Sequence, residues 1–226
     1  MSGWLALFKR YLSSFIAGAG VTLELTFIGL GLGFILGLAL ALARVYGPKW
    51  LRAFATGYIE IFRGTPLLVQ LFLIYYGLPS LGLTLSQSLS AYIALGFNSA
   101  AYQAEYLRGA IQAIGQSQMM AGRSIGLTTW QTIRFVILPQ ALRLALPSWS
   151  NEPISLLKTT AVVFLIAVQD LMARAKRAAT VTYNPVGSYL AAAVIYLVMV
   201  FAVSALLKWA ERKTRIPGFE MGSKRV

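Results

Sequence analysis

The sequence contains neither cysteine nor histidine. Without cysteine there are no disulfides, iron–sulfur clusters or thiolate metal sites. Without histidine there is no Ser-His-Asp triad, and the commonest metal ligand is gone. Acidic residues are scarce, seven against twenty Lys and Arg, and no two of them are placed as an acid–base pair. No Gly-Lys dipeptide occurs, so the chain has no Walker A loop and no nucleotide site of that kind. Charge of both signs amounts to 12% of residues, where soluble domains carry about 25%. What remains is apolar: 58% of residues are hydrophobic and the mean hydropathy is +0.68. The composition excludes a soluble domain and points to an all-α integral membrane protein without catalytic machinery of its own.

A helix crossing a hydrocarbon core of about 30 Å needs about 20 residues at 1.5 Å each. Five apolar segments satisfy this, at 15–43, 52–78, 88–108, 138–168 and 189–208, within a single transmembrane domain over 1–226. Turn signals separate them: "RVYGPKW" after the first, "YGLPSLG" after the second and "TYNP" before the fifth. The first segment is too long for a signal peptide and no A-x-A-like site follows it, so it is expected to stay. Ahead of it, "WLALFKRYLSSF" sets apolar residues opposite Lys9 and Arg10, which suits a surface-lying or juxtamembrane anchor. With the N-terminus outside, thirteen loop Lys and Arg fall on the inner side, Arg215, Lys224 and Arg225 among them, against five outside. The expected topology is therefore multi-pass in the cell membrane, N-terminus out and C-terminus cytoplasmic. The net charge of +13 then reflects topology and requires no nucleic-acid partner.

"IGLGLGFILG" looks like a phosphate-binding glycine loop, but it lies inside an apolar span with no strand before it. Gly33-x-x-x-Gly37 reads instead as a close helix–helix contact.

The segment 109–134 is polar, punctuated by glycine and too long for a hairpin. Ser117 to Ile125 predicts about two turns of helix, with Gly126 as the left-handed stop. Thr128-x-x-Gln131 is a capping box that starts another helix. A short helix on the cytoplasmic face is a docking element: Met119 and Met120 offer adaptable apolar contacts and Arg123 a charge. The alternative is a solvated connector.

This stretch resembles the cytoplasmic "EAA" loop of ABC-importer permeases, patterned EAA-x3-G-x9-I-x-LP. Gly126, Val136, Leu138 and Pro139 stand at its offsets, while Met120-Ala121-Gly122 replaces Glu-Ala-Ala. "EIFRGTPLLVQLFLIYYGLP", "NSAAYQAEYLRGAIQAI" and "LPQALRLALPSWSNEPISLLKTTAV" resemble the polar amino-acid, histidine/glutamine branch of that family, so the likeness covers nearly the whole chain. The resemblance implies a type I ABC-importer permease fold of five spans with a short coupling helix at 117–126. It also implies a second permease subunit, identical or paralogous, and cytosolic ATPase subunits that bind ATP and Mg, so this chain needs no cofactor. An extracytoplasmic substrate-binding protein would deliver an amino acid. Gln118, Met119, Met120, Ala121, Gly122, Arg123 and Gly126 become the expected ATPase-coupling residues, with the contacts of Met120 altered by the missing acid.

A charge inside a span costs about 2.5–3.5 kcal/mol at mid-bilayer, so it needs a partner or a cavity and marks function by default. Glu60 and Arg63 stand at i,i+3 and are expected to pair; Gln70 lies two turns beyond Arg63 on the same face. Asn98, Tyr102 and Glu105 recur at i, i+4, i+7 as one stripe, with Arg108 placed to pair with Glu105. In "SNEPISLLKTT", Asn151, Ser155 and Lys158 share a face, Glu152 lies about 100° from Asn151, and Pro153 frees the Trp149 carbonyl. A proline-interrupted span with exposed carbonyls is a pointer to a transporter site. Glu152, the Trp149 carbonyl and Asn151 are candidate acceptors for an ammonium group; Lys158, Ser155 and Asn151 are candidate donors to a carboxylate. Asn98, Tyr102, Gln70 and Arg63 complete the candidate path. The structural alternative is an interhelical ion pair of Glu152 or Lys158.

A carboxylate at 152 favours a substrate with an extra positive charge: arginine, lysine, histidine or ornithine. Glutamine or another polar amino acid is the alternative. A secondary carrier, which needs no ATPase, is the alternative of another class, but no internal repeat supports it.

Overall fold

The computed structural model describes residues 2–214; Arg215, Lys224 and Arg225, counted above on the inner side, lie outside the described residues. Every regular element among them is helical. Helix α1 spans Ser2–Tyr46 and α2 spans Lys49–Gly64. Helix α3, Leu67–Phe72, runs on through a π turn and a 3-10 turn to Leu81. Helix α4, Gln87–Ser124, is 38 residues long. A short α5, Thr129–Thr132, continues through a π turn into α6, Leu138–Trp149. Then come α7, Asn151–Thr159, with a 3-10 extension to Ile166, α8, Leu171–Thr182, and α9, Pro185–Thr214.

The breaks follow from local chemistry. Pro48 and Pro66 sit extended at the starts of α2 and α3, and Thr65 before Pro66 is forced extended too (φ −115°, ψ 143°). The α2 and α3 axes consequently turn by 104°. Asp170 caps α8, its Oδ1 accepting from the Ala173 amide at 2.9 Å. The predicted capping box is present: Thr128 accepts from the Gln131 amide and Gln131 from the Thr128 amide. Gly126 takes φ +86°, so the predicted stop is also where the chain turns.

Helices α1 and α4 form the central pair. At Gly33 a Cβ would come within 2.6 Å of Gln103 Nε2 and 2.9 Å of Ser99 Cβ, and at Gly37 within 2.9 Å of the Ala100 carbonyl. The Gly33-x-x-x-Gly37 pair is thus the close contact expected of it. One core cluster joins Leu25, Leu71, Leu95, Leu156 and Ile166 beside this pair; another packs Phe15 and Leu157 against α8 and α9. The outer face of α9 leaves Val194, Leu197, Val198 and Phe201 exposed, as lipid contact requires.

Several expectations are corrected. By length and composition, two helical stretches among the described residues can cross a membrane, Phe8–Tyr46 and Pro185–Lys213, or four if the two bent pairs each count as one span. The exact count of five is not confirmed: the third expected span, 88–108, lies in α4, which is not among these stretches. The segment 117–126 is not a separate short helix. It is the end of α4, unbroken from Gln87 to Ser124, since Gly109 and Gly115 weaken a helix without ending it. The N-terminal segment likewise continues α1 without a break.

Candidate functional site

A cavity of about 490 Å³, within the range of small-molecule sites, opens where the α2–α3 break faces α4 and α7. The break contributes Arg63, Gly64, Thr65 and Pro66; α4 contributes Asn98, Tyr102 and Tyr106; α7 contributes Glu152, Ser155 and Thr159. The three groups lie far apart in sequence, and the 104° turn after Gly64 brings the first of them to the other two.

The break is held by side-chain hydrogen bonds in place of the lost helical ones. The Gln70 amide donates to the Phe62 carbonyl (2.9 Å), the Thr65 carbonyl (3.1 Å) and Thr65 Oγ1 (2.8 Å). Asn98 Nδ2 donates to the Phe62 carbonyl (3.2 Å) and to Gln70 Oε1 (3.1 Å). Gln70 is therefore a buried clasp behind the cavity and does not line it. The same-face argument for Gln70 fails because the chain turns between it and Arg63.

Arg63 does line the cavity, but its partner is not Glu60, which is exposed. Its guanidinium stands 3.8 Å from Glu105 and 5.5 Å from the Tyr102 ring centroid. Glu105 also takes Arg44, and Arg108 at 2.9 Å as expected, so three guanidiniums converge on one carboxylate. Glu105 thus leaves the stripe to anchor charges, while Asn98 and Tyr102 stay on the cavity wall.

Glu152 is 5% exposed and accepts a 2.7 Å hydrogen bond from Ser99 Oγ. Among the described residues no Lys or Arg lies within ion-pair distance of it. Asn151 and Lys158, expected on the binding face, are exposed and outside the cavity lining. The cavity face of α7 is instead Glu152, Ser155 and Thr159. Leu156 and Leu157 of α7 turn into the core, and Lys158 points outward. Trp149 also lies off the cavity wall; its indole Nε1 donates to Gln103 Oε1 at 2.7 Å.

At the far end of α4, Met120 and Arg123 are exposed and Arg123 Nη2 donates to Thr129 Oγ1 at 2.7 Å. Gln118 and Met119 are half-buried, Met119 against the core cluster that contains Ile111, Ile114 and Ile137. Ala121 is exposed; Gly122 is buried, and a Cβ there would fall 2.5 Å from Thr132 Cγ2. The third position of the EAA-like head is thus a contact between α4 and α5 that tolerates no side chain. Met120, Ile125, Trp130 and Phe135 are 61–77% exposed and make an apolar surface at this end, the kind that marks a protein contact.

Sequence reasoning missed Ser99, Gln103, Tyr106 and Thr159. Ser99 and Gln103 did carry a signal, polar residues at i,i+4 inside an apolar helix; Tyr106 extends the Asn98–Tyr102 spacing by one more turn.

The sequence family described as "Binding-protein-dependent transport system inner membrane component" matches residues 29–216. A probable amino-acid ABC transporter permease, PatM of Vibrio harveyi, is 43% identical over 86% of this chain and 88% of its own. The nopaline transport system permease NocM of Agrobacterium fabrum is 38% identical over 87% and 86%. A crystal structure of an amino acid ABC transporter with histidines superposes with a TM-score of 0.84 at 41% identity, covering 91% of this chain and 96% of that one.

Proposed function

Because this chain belongs to the family of binding-protein-dependent transport system inner membrane components, we propose that its cavity passes a basic amino acid, such as arginine, lysine, histidine or ornithine, through the cell membrane. The chain is an amino-acid ABC transporter permease subunit, a multi-pass membrane protein that hydrolyses no ATP itself. Its partners are the ATPase subunits, the substrate-binding protein and the amino-acid substrate. In this reading ATP and Mg reside wholly on the ATPase, which docks on the end of α4 from Gln118 to Arg123, on Gly126 and on the adjoining Trp130. A second permease subunit, identical or paralogous, completes the pathway. The N-terminus lies outside and the C-terminus in the cytoplasm.

One observation carries the substrate class. Glu152 is a buried carboxylate on a cavity wall with a hydroxyl partner and, among the described residues, no cation within ion-pair distance. A charge in that position lacks its counter-ion, and a substrate cation supplies it. Lys158 stands outside the cavity, which removes the one cation that the binding-face argument placed on α7 beside Glu152. Arg63, which lines the same cavity and stands 3.8 Å from Glu105, is the matching donor for the substrate carboxylate, and Asn98 and Tyr102 line the cavity with them.

A second reading has its own support. Arg63 and Glu152 are the charged residues of the lining, one of each sign, and such a pair also suits the zwitterionic head of glutamine or another neutral polar amino acid. ATP-driven uptake of arginine and glutamine into proteoliposomes, with Glu152→Gln beside wild type, tests both. Loss of arginine uptake alone supports the basic substrate. Equal loss of both supports head-group recognition, and loss of neither removes Glu152 from the site.

A further inference from the structure

Behind Glu152 runs a buried hydrogen-bond chain that ends on Trp149. The Trp149 indole N–H donates to Gln103 Oε1 at 2.7 Å. Gln103 Nε2 donates to the Leu30 carbonyl at 3.1 Å and to Ser99 Oγ at 3.0 Å. Ser99 Oγ donates to Glu152 Oε1 at 2.7 Å. Gln103 and Ser99 are fully buried.

The direction of this chain is fixed by chemistry. An indole nitrogen only donates, so the Gln103 atom facing it must be the oxygen. The amide NH₂ then faces Leu30 and Ser99, and its two hydrogens are both used. Ser99 accepts one of them, and its single hydroxyl hydrogen goes to Glu152. Reversing any link would leave a buried donor or acceptor unpaired. With Glu152 ionised, the end of the chain is a donor aimed at its Oε1, the partner that suits a carboxylate.

The chain also has a mechanical consequence. Trp149 is the last residue of α6 and Glu152 lies in the first turn of α7, on either side of the joint at Ser150. Ser99 and Gln103 are one turn apart on α4 and bonded to each other. Both sides of the joint are tied to the same turn of α4, and Gly33 lets α1 close over them, since a Cβ there would strike Gln103.

We propose that Trp149, Gln103 and Ser99 are positioning residues: a one-way hydrogen-bond chain that holds Glu152 as an oriented acceptor for the substrate cation. None of the three lines the cavity; they act through Glu152. The proposal rests on the reading that Glu152 receives the substrate.

The test is a double-mutant cycle on the complete transporter in proteoliposomes, reading arginine uptake as Vmax/KM, with copurifying ATPase as the measure of assembly. Ser99→Ala removes the donor and is expected to lower Vmax/KM about tenfold, mainly through KM, the scale for a lost charge-assisted hydrogen bond. Trp149→Phe deletes the N–H and lets the Gln103 amide turn over; an effect of about threefold is expected, carried through the network. In a Glu152→Gln background both penalties should shrink below about twofold, because the charged acceptor they orient is replaced by a neutral amide that no longer holds the substrate cation. Equal penalties in both backgrounds mean a packing role and overturn the proposal, as does the absence of any penalty in the Glu152 background. If Ser99→Ala does not assemble, the Trp149→Phe cycle decides alone. If Glu152→Gln itself transports like wild type, the substrate reading has failed and the proposal falls with it. If Glu152→Gln collapses while the other variants match wild type, the proposal alone has failed.

Discussion

The Arg63 guanidinium lies 3.8 Å from the Glu105 carboxylate, which Arg44 and Arg108 share. A cation on the cavity wall is therefore steadied from behind by an anion outside it. Glu105→Gln keeps the shape and removes that anion, leaving the Arg44, Arg63 and Arg108 guanidiniums together without it. The expected cost is on the order of 1 kcal/mol, since the cluster is partly open to solvent, seen as a lower thermal midpoint of the assembled transporter. Scanning fluorimetry of the purified complex measures it, and an unchanged midpoint would show that the cluster carries no stability.

Lys158 and Asn151 lie outside the cavity lining and are exposed. Lys158→Ala and Asn151→Ala should keep arginine uptake within about twofold of wild type, as surface substitutions usually do. A tenfold loss in either would put these residues back on the substrate path.

Gln70 closes the α2–α3 break with three hydrogen bonds from one amide. Gln70→Leu fills a similar volume but removes the donor to Thr65 and leaves the Phe62 carbonyl to Asn98 alone, at about 0.5–1.5 kcal/mol for each hydrogen bond lost. KM for arginine should rise as Arg63 and Thr65 lose their place. Uptake kinetics with arginine read this directly; a wild-type KM would mean that Pro66 and Asn98 alone hold the bend.

What could be read from the sequence and what could not divide along physical lines. Local signals held: the capping box at Thr128, the stop at Gly126, the close contact of Gly33 and Gly37, and the Asn98–Tyr102 stripe each depend on residues within a few turns. The family likeness was legible too, because its motifs are contiguous. Gln70 fails because an angle is carried across a break: a straight helix projected through Thr65–Pro66 puts it on the face of Arg63, and the chain turns there by 104°. On α7, an unbroken helix from Asn151 to Thr159, the face is off by a part-turn: Ser155 lines the cavity as expected, but the cavity lies on its Glu152 and Thr159 side and not on the Asn151 and Lys158 side. The partner of Arg63 was misplaced for another reason: a local i,i+3 pair with Glu60 competes with a tertiary one, and sequence spacing sees the local pair alone. Ser99 and Gln103 had no visible role until Glu152 and Trp149 were brought beside them.

Gly122 packs on Thr132, whose own hydroxyl is fixed on the Thr128 carbonyl at 2.9 Å. Thr132 is fully buried and cannot swing away. Gly122→Ala should push the end of α4 off α5 and displace the apolar surface of Met120, Ile125 and Trp130. The expected result is a permease that still purifies but retains less ATPase, measured by the ratio of the two on affinity capture. Full retention would mean that the ATPase docks elsewhere.

The central claim is that Glu152 is the counter-charge for the substrate. ATP-dependent uptake of arginine by the reconstituted transporter, wild type against Glu152→Gln, measures it most directly, with copurifying ATPase as the assembly control. The account predicts at least a tenfold loss of Vmax/KM, the scale of one charge-assisted contact, in a complex that remains assembled. Arginine uptake equal to wild type in the variant would contradict it.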